Sequence, residues 1–418
     1  MSNPIRAYAP LSQGVSGRRV LLLQGHPSAF WPRLGDALEA AGAHVFKVNF
    51  CLADHIFWGR RPAQSYRGRL EDWPDWLTNF VQTNGITDIL YYADRFPYHA
   101  AARDVADRLG IKPWALEFGY LRPDWITFEE GGLGAASLFD RSIEGLTKTA
   151  LGREEPDMTQ RFPHDFSTEA FNEVTFGVLS VLGRPLYPRY VSDRFFWPLL
   201  DYLSWLPKLA TAARAERAAQ ALQTRLAKDK SRYFLLPMQI EADYQIRYNS
   251  PYVALEDFLN EVFQSFAQSA DPEDRLVIKL HPLDSGLENW PRRLRRIIRR
   301  WDLSDRVDIA RGGDLEAFIR HSRGVVLVNS TVGLHALRQA VPVHNRGFAI
   351  YDVAGLTHQG SLDTFWTAPG PVDQDLLQLF LRALTSIQIK GSFFNADGVA
   401  AACDGIIQKL AETPRSAH

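Results

Sequence analysis

The residues best suited to chemistry in this sequence are carboxylates set among aromatic rings, in the segment LEFGYLRPDWITFEEGG at 116–132. Glu117 and Glu129 are the acids of interest, and Tyr120 and Arg122 lie between them. A carboxylate beside apolar rings loses hydration, which costs free energy unless the group is paired or used. Two interpretations are open: the acids act on a ligand, or Glu117 is a structural carboxylate paired with Arg122.

A second segment, VIKLHPLDSG at 277–286, places three residues of interest at the end of an apolar run. Lys279 and His281 are donors of the kind that bind phosphate, and Pro282 bends the chain directly after them. Alone, a His-Pro pair at a strand end is more often an ordinary turn.

A third segment, VLVNSTVGLHAL at 326–337, runs from an apolar stretch through Asn329, Ser330 and Thr331 into a helical pattern. Free N–H groups and hydroxyls at a helix start form an anion site, although the same residues are also ordinary helix caps. Two anion-competent strand ends in one domain favour a phosphate ligand more than either does separately. The sequence has no GxxxxGK[ST] motif, so a P-loop NTPase is not indicated.

Polar residues also come after two other apolar runs. Gln239, Asp243 and Gln245 come after LLPM and are suited to reading hydroxyl groups or a base, unless they are solvated loop residues. Asp94, Arg95 and His99 come after ILYY, where they form either a site for an acidic sugar or a local salt bridge.

The segment WPRRLRRIIRRW at 290–301 contains six arginines around an apolar face with helical spacing. Such a helix either lies on anionic lipid or packs its apolar face into the core with a solvated basic back.

Positioning these residues requires alternating strands and helices. Short apolar runs, typical of buried strands, alternate with helical patterns that end at glycine. The predicted strands are 19–24, 44–50, 86–94 and 111–119, and later 232–239, 275–282, 306–310, 324–330 and 341–345. This pattern predicts an α/β protein with two Rossmann-like domains facing across a cleft, and ligands beyond the carboxyl ends of the strands.

The predicted domains are consecutive: 15–195, a helical linker at 196–230, 231–372, and C-terminal helices at 373–418. A length of 418 residues, 46% hydrophobic content and a net charge of −1 are typical of a soluble two-domain protein with no global attraction to nucleic acid. Two distant cysteines favour a reducing compartment. The first residues lack the apolar core of a signal peptide. No metal site is predicted.

Together, these motifs resemble one family. QGHPSAFW, the strand end at Asp94, EFGYLRPDWITFE, IKLHP and NSTVGLHAL followed by VPV and YDVAGLTHQGSLDTFW occur in the order of capsular polysaccharide synthesis proteins of the KpsS/LipB type. The resemblance covers about residues 19–370. It implies a GT-B-like fold and a retaining β-Kdo transferase that uses CMP-Kdo and no cofactor. The implied acceptor is a phosphatidylglycerol-type lipid at the cytoplasmic face of the inner membrane, beside other capsule synthesis and export proteins.

The resemblance also implies roles for residues. Lys279, His281, Pro282, Asn329, Ser330 and Thr331, with Gln239, Asp243 and Gln245, would hold the nucleotide sugar. Glu117 would be the nucleophile that retention by double displacement needs, with Glu129 as second candidate or acid/base partner. Tyr120 and Arg122 would orient or neutralise these acids. Arg95, His99, Gly25 and His26 would serve the acceptor or the Kdo carboxylate, for which Arg122 is another partner.

The chain departs from the family pattern at Phe118, where the resemblance implies an acidic residue before the glycine. This departure supports a second hypothesis, a catalytically silent member that binds or scaffolds in capsule assembly. A third hypothesis is a GT-B transferase for another nucleotide sugar.

Overall fold

The computed structural model describes residues 14–192, 197–240, 246 and 249–414. Asp243 and Gln245 lie outside these residues. The backbone forms two compact units, of which the first contains residues up to Leu138, Pro156–Asp193 and Ile387 onward, and the second contains Phe139–Glu155 and Arg194–Ser386. The units therefore interleave along the sequence, whereas the sequence pattern predicts consecutive domains.

Unit 1 is built on a sheet whose strands were mostly predicted as apolar runs. Its strands are β1 (Arg19–Leu22), β2 (His44–Asn49), β3 (Gln64–Ser65), β4 (Asp88–Tyr92), β5 (Lys112–Phe118), β6 (Trp125–Glu130) and β12 (Gln388–Lys390). They lie in the order β12-β6-β5-β4-β1-β2-β3. Five neighbouring strands of this sheet, β5, β4, β1, β2 and β3, are parallel to one another. Their carboxyl ends therefore lie at one edge of the sheet.

The other end of this sheet is antiparallel, which the sequence pattern did not predict. β6 pairs antiparallel with β5, and β12, which comes from the far end of the chain, pairs antiparallel with β6. The acid-rich segment at 116–132 is therefore a strand, a turn and a returning strand.

The helices of unit 1 are α1 (Phe30–Ala40), α2 (Leu52–Trp58), α3 (Trp73–Asn84), α4 (Pro97–Leu109), α6 (Phe166–Leu182) and α14 (Ala396–Glu412). The predicted glycine stops are confirmed at α3 and α4, where Gly85 and Gly110 adopt the left-handed conformation. Two apolar clusters cover the two faces of the sheet.

Unit 2 contains a wholly parallel sheet, as predicted. Its strands are β7 (Tyr233–Pro237), β8 (Arg275–Lys279), β9 (Val307–Ala310), β10 (Gly324–Leu327) and β11 (Val343–Asn345), in the order β11-β10-β7-β8-β9. Its helices are α5 (Ile143–Ala150), α7 (Pro198–Lys228), α8 (Leu255–Ser269), α9 (Trp290–Arg300), α10 (Leu315–Arg320), α11 (Val332–Arg338), α12 (Leu362–Thr367) and α13 (Gln374–Leu384).

Candidate functional site

The two candidate catalytic carboxylates of unit 1 lie on one face of its sheet. Glu117 on β5 is directly opposite Thr127 on β6, and Glu129 is directly opposite Ala115. Paired residues point to the same side and every second residue shares that side, so Glu117 and Glu129 are diagonal neighbours. Neighbours of this kind are about 7–8 Å apart. Their carboxylates thus belong to one site. The sequence analysis grouped the two acids only because they lie in one short segment, and the strand pairing gives the physical reason.

Glu129 is a buried carboxyl group, with 2% of its surface exposed. The Ser137 hydroxyl donates a hydrogen bond to its Oε2, and Oε1 is buried without a hydrogen-bond partner. Burial raises the pKa of Glu129 to about 8, and the nearby charges of Asp94 and Glu117 act in the same direction. At neutral pH this group is mainly protonated, so it is suited to exchanging a proton and not to nucleophilic attack.

Glu117 is half-buried at the end of β5, close enough to Glu129 and Tyr120 to raise the pKa of both. Unlike Glu129, it lies where the strand leaves the sheet. The environments of the two acids therefore differ, which is the condition under which paired carboxylates take different roles.

Tyr120 and Arg122 come after Glu117 in the turn. The Tyr120 hydroxyl accepts a hydrogen bond from the Gly134 amide at 3.4 Å, and burial, Glu129 and Glu117 together raise the pKa of Tyr120 well above its usual value. Arg122 is exposed; its Nε donates to the Gly119 carbonyl at 3.3 Å, and its guanidinium lies over the Phe118 ring at 5.6 Å. Tyr120 is thus in the acidic cluster, and Arg122 lies over the Phe118 ring.

Phe118 points to the opposite face of the sheet. Its ring contacts His26 at 5.3 Å and Phe393 at 5.2 Å between centroids. His26 is itself enclosed by rings, stacking on Phe393 at 4.9 Å, and burial lowers its pKa to about 3. Phe118, where the resemblance implies an acidic residue, therefore adds to an aromatic cluster and takes no group from the Glu117–Glu129 face.

Gly25 and His99, two other predicted residues, have visible packing roles. A Cβ at Gly25 would overlap the Trp31 indole, so only glycine fits there. His99 is fully buried between Tyr91 and Phe96, its Nδ1 is 2.9 Å from the Ala93 carbonyl oxygen, and burial lowers its pKa to about 4. The binding roles of Gly25 and His99 stay predictions.

Asp94 and Arg95 form the local ion pair that the sequence left open. Asp94 is fully buried; its Oδ1 lies 3.7 Å from Arg95 Nε, and its Oδ2 accepts from the Leu133 amide at 2.9 Å. Burial raises the pKa of Asp94 in spite of Arg95 and Arg103. Asp94 thus ties the end of β4 to the glycine-rich turn after β6.

Three residues of this site were missed by the sequence reasoning. Ser137 bonds Glu129, the Lys409 ammonium lowers the pKa of Glu129, and Gln388 Oε1 accepts from the Tyr120 amide at 2.9 Å. Of these three residues only Ser137 lies near Glu129 in the sequence, shortly after Gly131 and Gly132. Gln388 and Lys409 come from the distant C-terminal segment, so local sequence could not have indicated them.

In unit 2, the predicted anion residues lie just beyond three neighbouring strands of the parallel sheet. Lys279 and His281 are at the end of β8, Gln239 is at the end of β7, and Asn329 with Ser330 is at the end of β10. Since adjacent strands are about 4.8 Å apart, the β8 and β10 ends are separated by about 10 Å. The structure therefore brings the two predicted anion motifs to one edge of one sheet.

Gln239 and Asn329 bind each other across this edge. Gln239 Nε2 donates to Asn329 Oδ1 at 2.9 Å, and the Asn329 amide donates to Gln239 Oε1 at 3.1 Å. Asn329 Nδ2 also donates to the Asn249 carbonyl at 3.2 Å. These amides fix the β7 and β10 ends relative to each other.

The β8 end is held in a bent turn. Lys279 Nζ donates to the Gly312 carbonyl at 3.1 Å, and burial lowers its pKa. His281 Nδ1 accepts from the Leu283 amide at 3.1 Å, so its other ring nitrogen carries the proton when the ring is neutral. The Pro282 carbonyl accepts from Lys208 of α7.

The turn before α11 is stabilised from two sides. Ser330 Oγ accepts from the Val332 amide at 3.2 Å, and the Ser330 carbonyl accepts from the Tyr351 hydroxyl. Thr331 is the N-cap residue but makes no side-chain capping hydrogen bond. Its half-buried hydroxyl is therefore not used in capping the helix.

The arginine-rich helix α9 packs its apolar face into unit 2. Trp290, Leu294, Ile297 and Ile298 are buried in the unit 2 core, and the arginine face is largely exposed. This is the core-facing alternative of the two that the sequence left open. No helix in the described part of the chain combines the length and apolar character needed to cross a bilayer.

Comparison with known proteins identifies the family. Among solved structures, the chain is similar to Thermosulfurimonas dismutans KpsC, beta Kdo 2,4 transferase, with a TM-score of 0.44 and 16% identity over 94% of this chain and 98% of that chain. A structural similarity this weak indicates nothing about activity. The Escherichia coli capsule polysaccharide export protein KpsS is 31% identical over 371 residues, 88% of this chain and 94% of the relative.

A second relative is the Neisseria meningitidis capsule polysaccharide modification protein LipB, 30% identical over 389 residues, 91% of this chain and 92% of the relative. The sequence pattern of capsule polysaccharide biosynthesis proteins matches residues 87–394, a range that contains the acid-rich strands and both anion turns. The chain therefore belongs to the capsule polysaccharide biosynthesis family, as a relative of KpsS and LipB.

Proposed function

We propose that the chain is a glycosyltransferase that moves Kdo from CMP-Kdo to a phosphatidylglycerol-type lipid with retention of configuration. The observation that carries the proposal is the pair of unequal carboxyl groups on one sheet face: Glu129, with a pKa of about 8, and the more peripheral Glu117. A retaining double displacement needs one ionised carboxylate and one group that exchanges protons near neutral pH. The donor and acceptor are inferred from the resemblance to the family.

In this proposal a Glu117 oxygen attacks the anomeric carbon of Kdo while the bond to the CMP phosphate oxygen breaks. CMP leaves with the electron pair, and a glycosyl ester forms on Glu117. The acceptor hydroxyl then attacks the same carbon from the opposite side, which releases the carboxylate and restores the configuration. Glu129, protonated at the start, gives its proton to the departing phosphate oxygen in the first step, and the carboxylate that remains accepts the proton of that hydroxyl, a task suited to a group whose pKa lies near the working pH.

Unit 2 would hold the nucleotide. Backbone N–H groups and hydroxyls at Ser330 and Thr331 would face the phosphate, together with the ammonium of Lys279 and the imidazole N–H of His281. These groups stabilise the negative charge that grows on CMP as it leaves. The Gln239–Asn329 pair keeps the turn in place and offers amide groups to the ribose or base.

The acidic sugar needs a cation of its own. Arg122 is exposed in the turn after β5, and its guanidinium, which lies over the Phe118 ring, matches a carboxylate in shape and charge. Arg95 is partly engaged by Asp94, so Arg122 is the better partner for the Kdo carboxylate. We place the reaction at the cytoplasmic face of the inner membrane, where a lipid acceptor is available.

A second candidate function is a catalytically silent member that binds within a capsule assembly complex. Phe118 favours this alternative, since an acidic residue there would have lain beside His26. KpsS, one of the relatives, is named as an export protein. In this case the chain binds CMP or capsule proteins but transfers no sugar.

The test is to incubate purified protein with CMP-Kdo and vesicles that contain phosphatidylglycerol, and to measure CMP release and the mass of the lipid. Glu117→Gln is expected to lower CMP release about a thousandfold or more, because an amide cannot form the glycosyl ester. Glu130→Gln is the matched control: this acid neighbours Glu129 but faces the other side of β6, where it pairs with Lys112 at 3.0 Å. It should keep CMP release within about twofold.

The outcomes separate the hypotheses. CMP release that survives Glu117→Gln would remove Glu117 as nucleophile, and a glycosyl adduct found by mass spectrometry on another residue would replace it. No release with CMP-Kdo but release with another nucleotide sugar would change the donor. CMP binding without turnover of any donor would favour the silent binder.

A further inference from the structure

Four leucines in the first half of α7, and the tryptophan just before the helix, have exposed side chains. Five large apolar residues between Trp197 and Leu209 are each more than half exposed: Trp197 (60%), Leu200 (53%), Leu203 (62%), Leu206 (61%) and Leu209 (62%). This arrangement is the reverse of an ordinary surface helix, whose apolar residues face the core. Contiguous exposed apolar surface on a globular protein indicates a contact with something else.

Two polar side chains of the same helix, those of Lys208 and Glu216, bond to other parts of unit 2. Lys208 Nζ donates to the carbonyls of Pro282 and, at 2.7 Å, Asp284, both in the turn after β8. About two turns further along α7, Glu216 Oε2 accepts from the Gly313 amide at 2.9 Å. The orientation of α7 is therefore fixed by polar contacts within unit 2, and the leucines cannot turn inward without breaking them.

Helical spacing places arginines after the leucines on the outward face. Leu203, Leu206 and Ala210 lie at i, i+3 and i+7, and Arg214 and Arg217 continue the same stripe at i+11 and i+14. All five are exposed. From Trp197 to Ala210 the helix rises about 20 Å, and the two arginines come within the next two turns.

The charges on this stripe select the kind of partner. The two acids in the stretch 197–217, Asp201 and Glu216, lie toward the inner side, and the outward stripe carries only arginines. Leucines followed by arginines along one stripe match a bilayer surface, where apolar chains enter the acyl boundary and guanidinium groups meet anionic headgroups.

We infer that the outward stripe of α7, from Leu203 and Leu206 to Arg214 and Arg217, is a docking surface for anionic lipid bilayers. The inference rests on the proposed function, because a lipid acceptor requires the protein to work at a membrane. Lys208 links α7 to the turn that contains His281 and Pro282, so docking would hold the predicted nucleotide residues of unit 2 near the lipid surface. The arginine helix α9, by contrast, has no apolar side chains to insert, because they are buried.

The experiment is flotation of the full chain with two kinds of vesicle: phosphatidylcholine alone, and phosphatidylcholine with an equal amount of phosphatidylserine. Phosphatidylserine supplies negative charge without being the proposed acceptor. The double change Leu203→Ser with Leu206→Ser should lower the bound fraction on anionic vesicles about tenfold or more, because two inserted side chains are lost. Arg214→Gln with Arg217→Gln should lower binding to the anionic vesicles by about tenfold and leave binding to phosphatidylcholine unchanged.

Two controls match these changes. Leu151→Ser removes an apolar residue that is 85% exposed outside α7, and Arg295→Gln with Arg299→Gln removes two exposed arginines of α9. Both should float like the unchanged protein. The urea midpoints of all variants should stay together, since the altered side chains are exposed.

Flotation that is the same for the α7 variants and the unchanged protein would overturn the inference. So would a change in oligomeric state on Leu203→Ser with Leu206→Ser at constant flotation, which would make the stripe a contact between two copies. Normal flotation without CMP release would remove the transferase activity and leave the docking surface. Normal CMP release without flotation would remove the docking surface and leave the transferase activity.

Discussion

At the scale of single residues, Glu129 determines how stability depends on pH. Its pKa is about 8 in the folded chain and 4.5 when it is free, so the unfolded chain releases this proton at lower pH. The stability that protonated Glu129 provides is therefore complete below about pH 4.5 and is lost as the pH rises through 8.

We expect Glu129→Gln to remove this pH dependence, because the amide keeps the neutral shape. The free energy of unfolding from urea titrations should fall between pH 5 and pH 8 by a few kcal/mol more in the unchanged protein than in the variant, since one pKa unit corresponds to about 1.4 kcal/mol. Equal slopes for the two proteins would mean that Glu129 is ionised in the folded state.

The same substitution tests the proton transfer. If Glu129 is the acid/base partner, Glu129→Gln should lower CMP release about a hundredfold or more. The variant should also lose the limb of the pH–rate profile near pH 8. A uniform drop in rate with an unchanged profile would instead assign Glu129 a structural role.

At the scale of elements, the turn before α11 depends on a glycine. A Cβ at Gly333 would overlap the ring and hydroxyl of Tyr351, which donates a hydrogen bond to the Ser330 carbonyl. Gly333→Ala should therefore displace either Tyr351 or the turn, and lower the free energy of unfolding by about 1–3 kcal/mol. If the Ser330–Thr331 turn holds phosphate, the Gly333→Ala variant should also bind CMP more weakly, as measured by calorimetry.

Tyr351→Phe is the matched control for this prediction, because it removes the hydrogen bond without adding volume. It should lower the free energy of unfolding by about 1 kcal/mol and disturb CMP affinity less than Gly333→Ala does. Reduced stability with unchanged CMP affinity in Gly333→Ala would indicate that the nucleotide does not use this turn.

The strands differ in how well the sequence alone predicted them. Strands such as β1 and β7 are buried on both faces and appear as continuous apolar runs, so periodicity found them. β6 was missed because WITFEE mixes acids with apolar residues, and it is a strand because β5 and β12 pair with it on both sides. The burial of Glu129 was also missed, because Lys409 beside it comes from a helix more than 250 residues later.

At the scale of the whole molecule, the C-terminal segment is part of unit 1. The buried Arg18 guanidinium pairs with Asp88 at 2.8 Å and also donates to the carbonyls of Leu410 and Thr413. Ala402, Cys403, Ile406, Ile407 and Leu410 of α14 are buried in the cluster on one face of the unit 1 sheet. Residues 373–418 were predicted as helices, and composition gave no sign that β12 and α14 complete unit 1.

A chain that ends at Ser386 should therefore lose the fold of unit 1. Burying each of the four larger α14 side chains contributes about 1.5–3 kcal/mol, and their sum is comparable to the whole stability of a typical domain, about 5–15 kcal/mol. Limited proteolysis should cut the shortened chain within 14–138 and spare 255–384, since unit 2 retains its own core. A chain that ends at Pro414 keeps both carbonyl partners of Arg18 and should resist cleavage like the full chain. Equal resistance of the two shortened chains would show that unit 1 folds without its last strand and helix, and that Gln388 is not needed to hold Tyr120 beside the two glutamates.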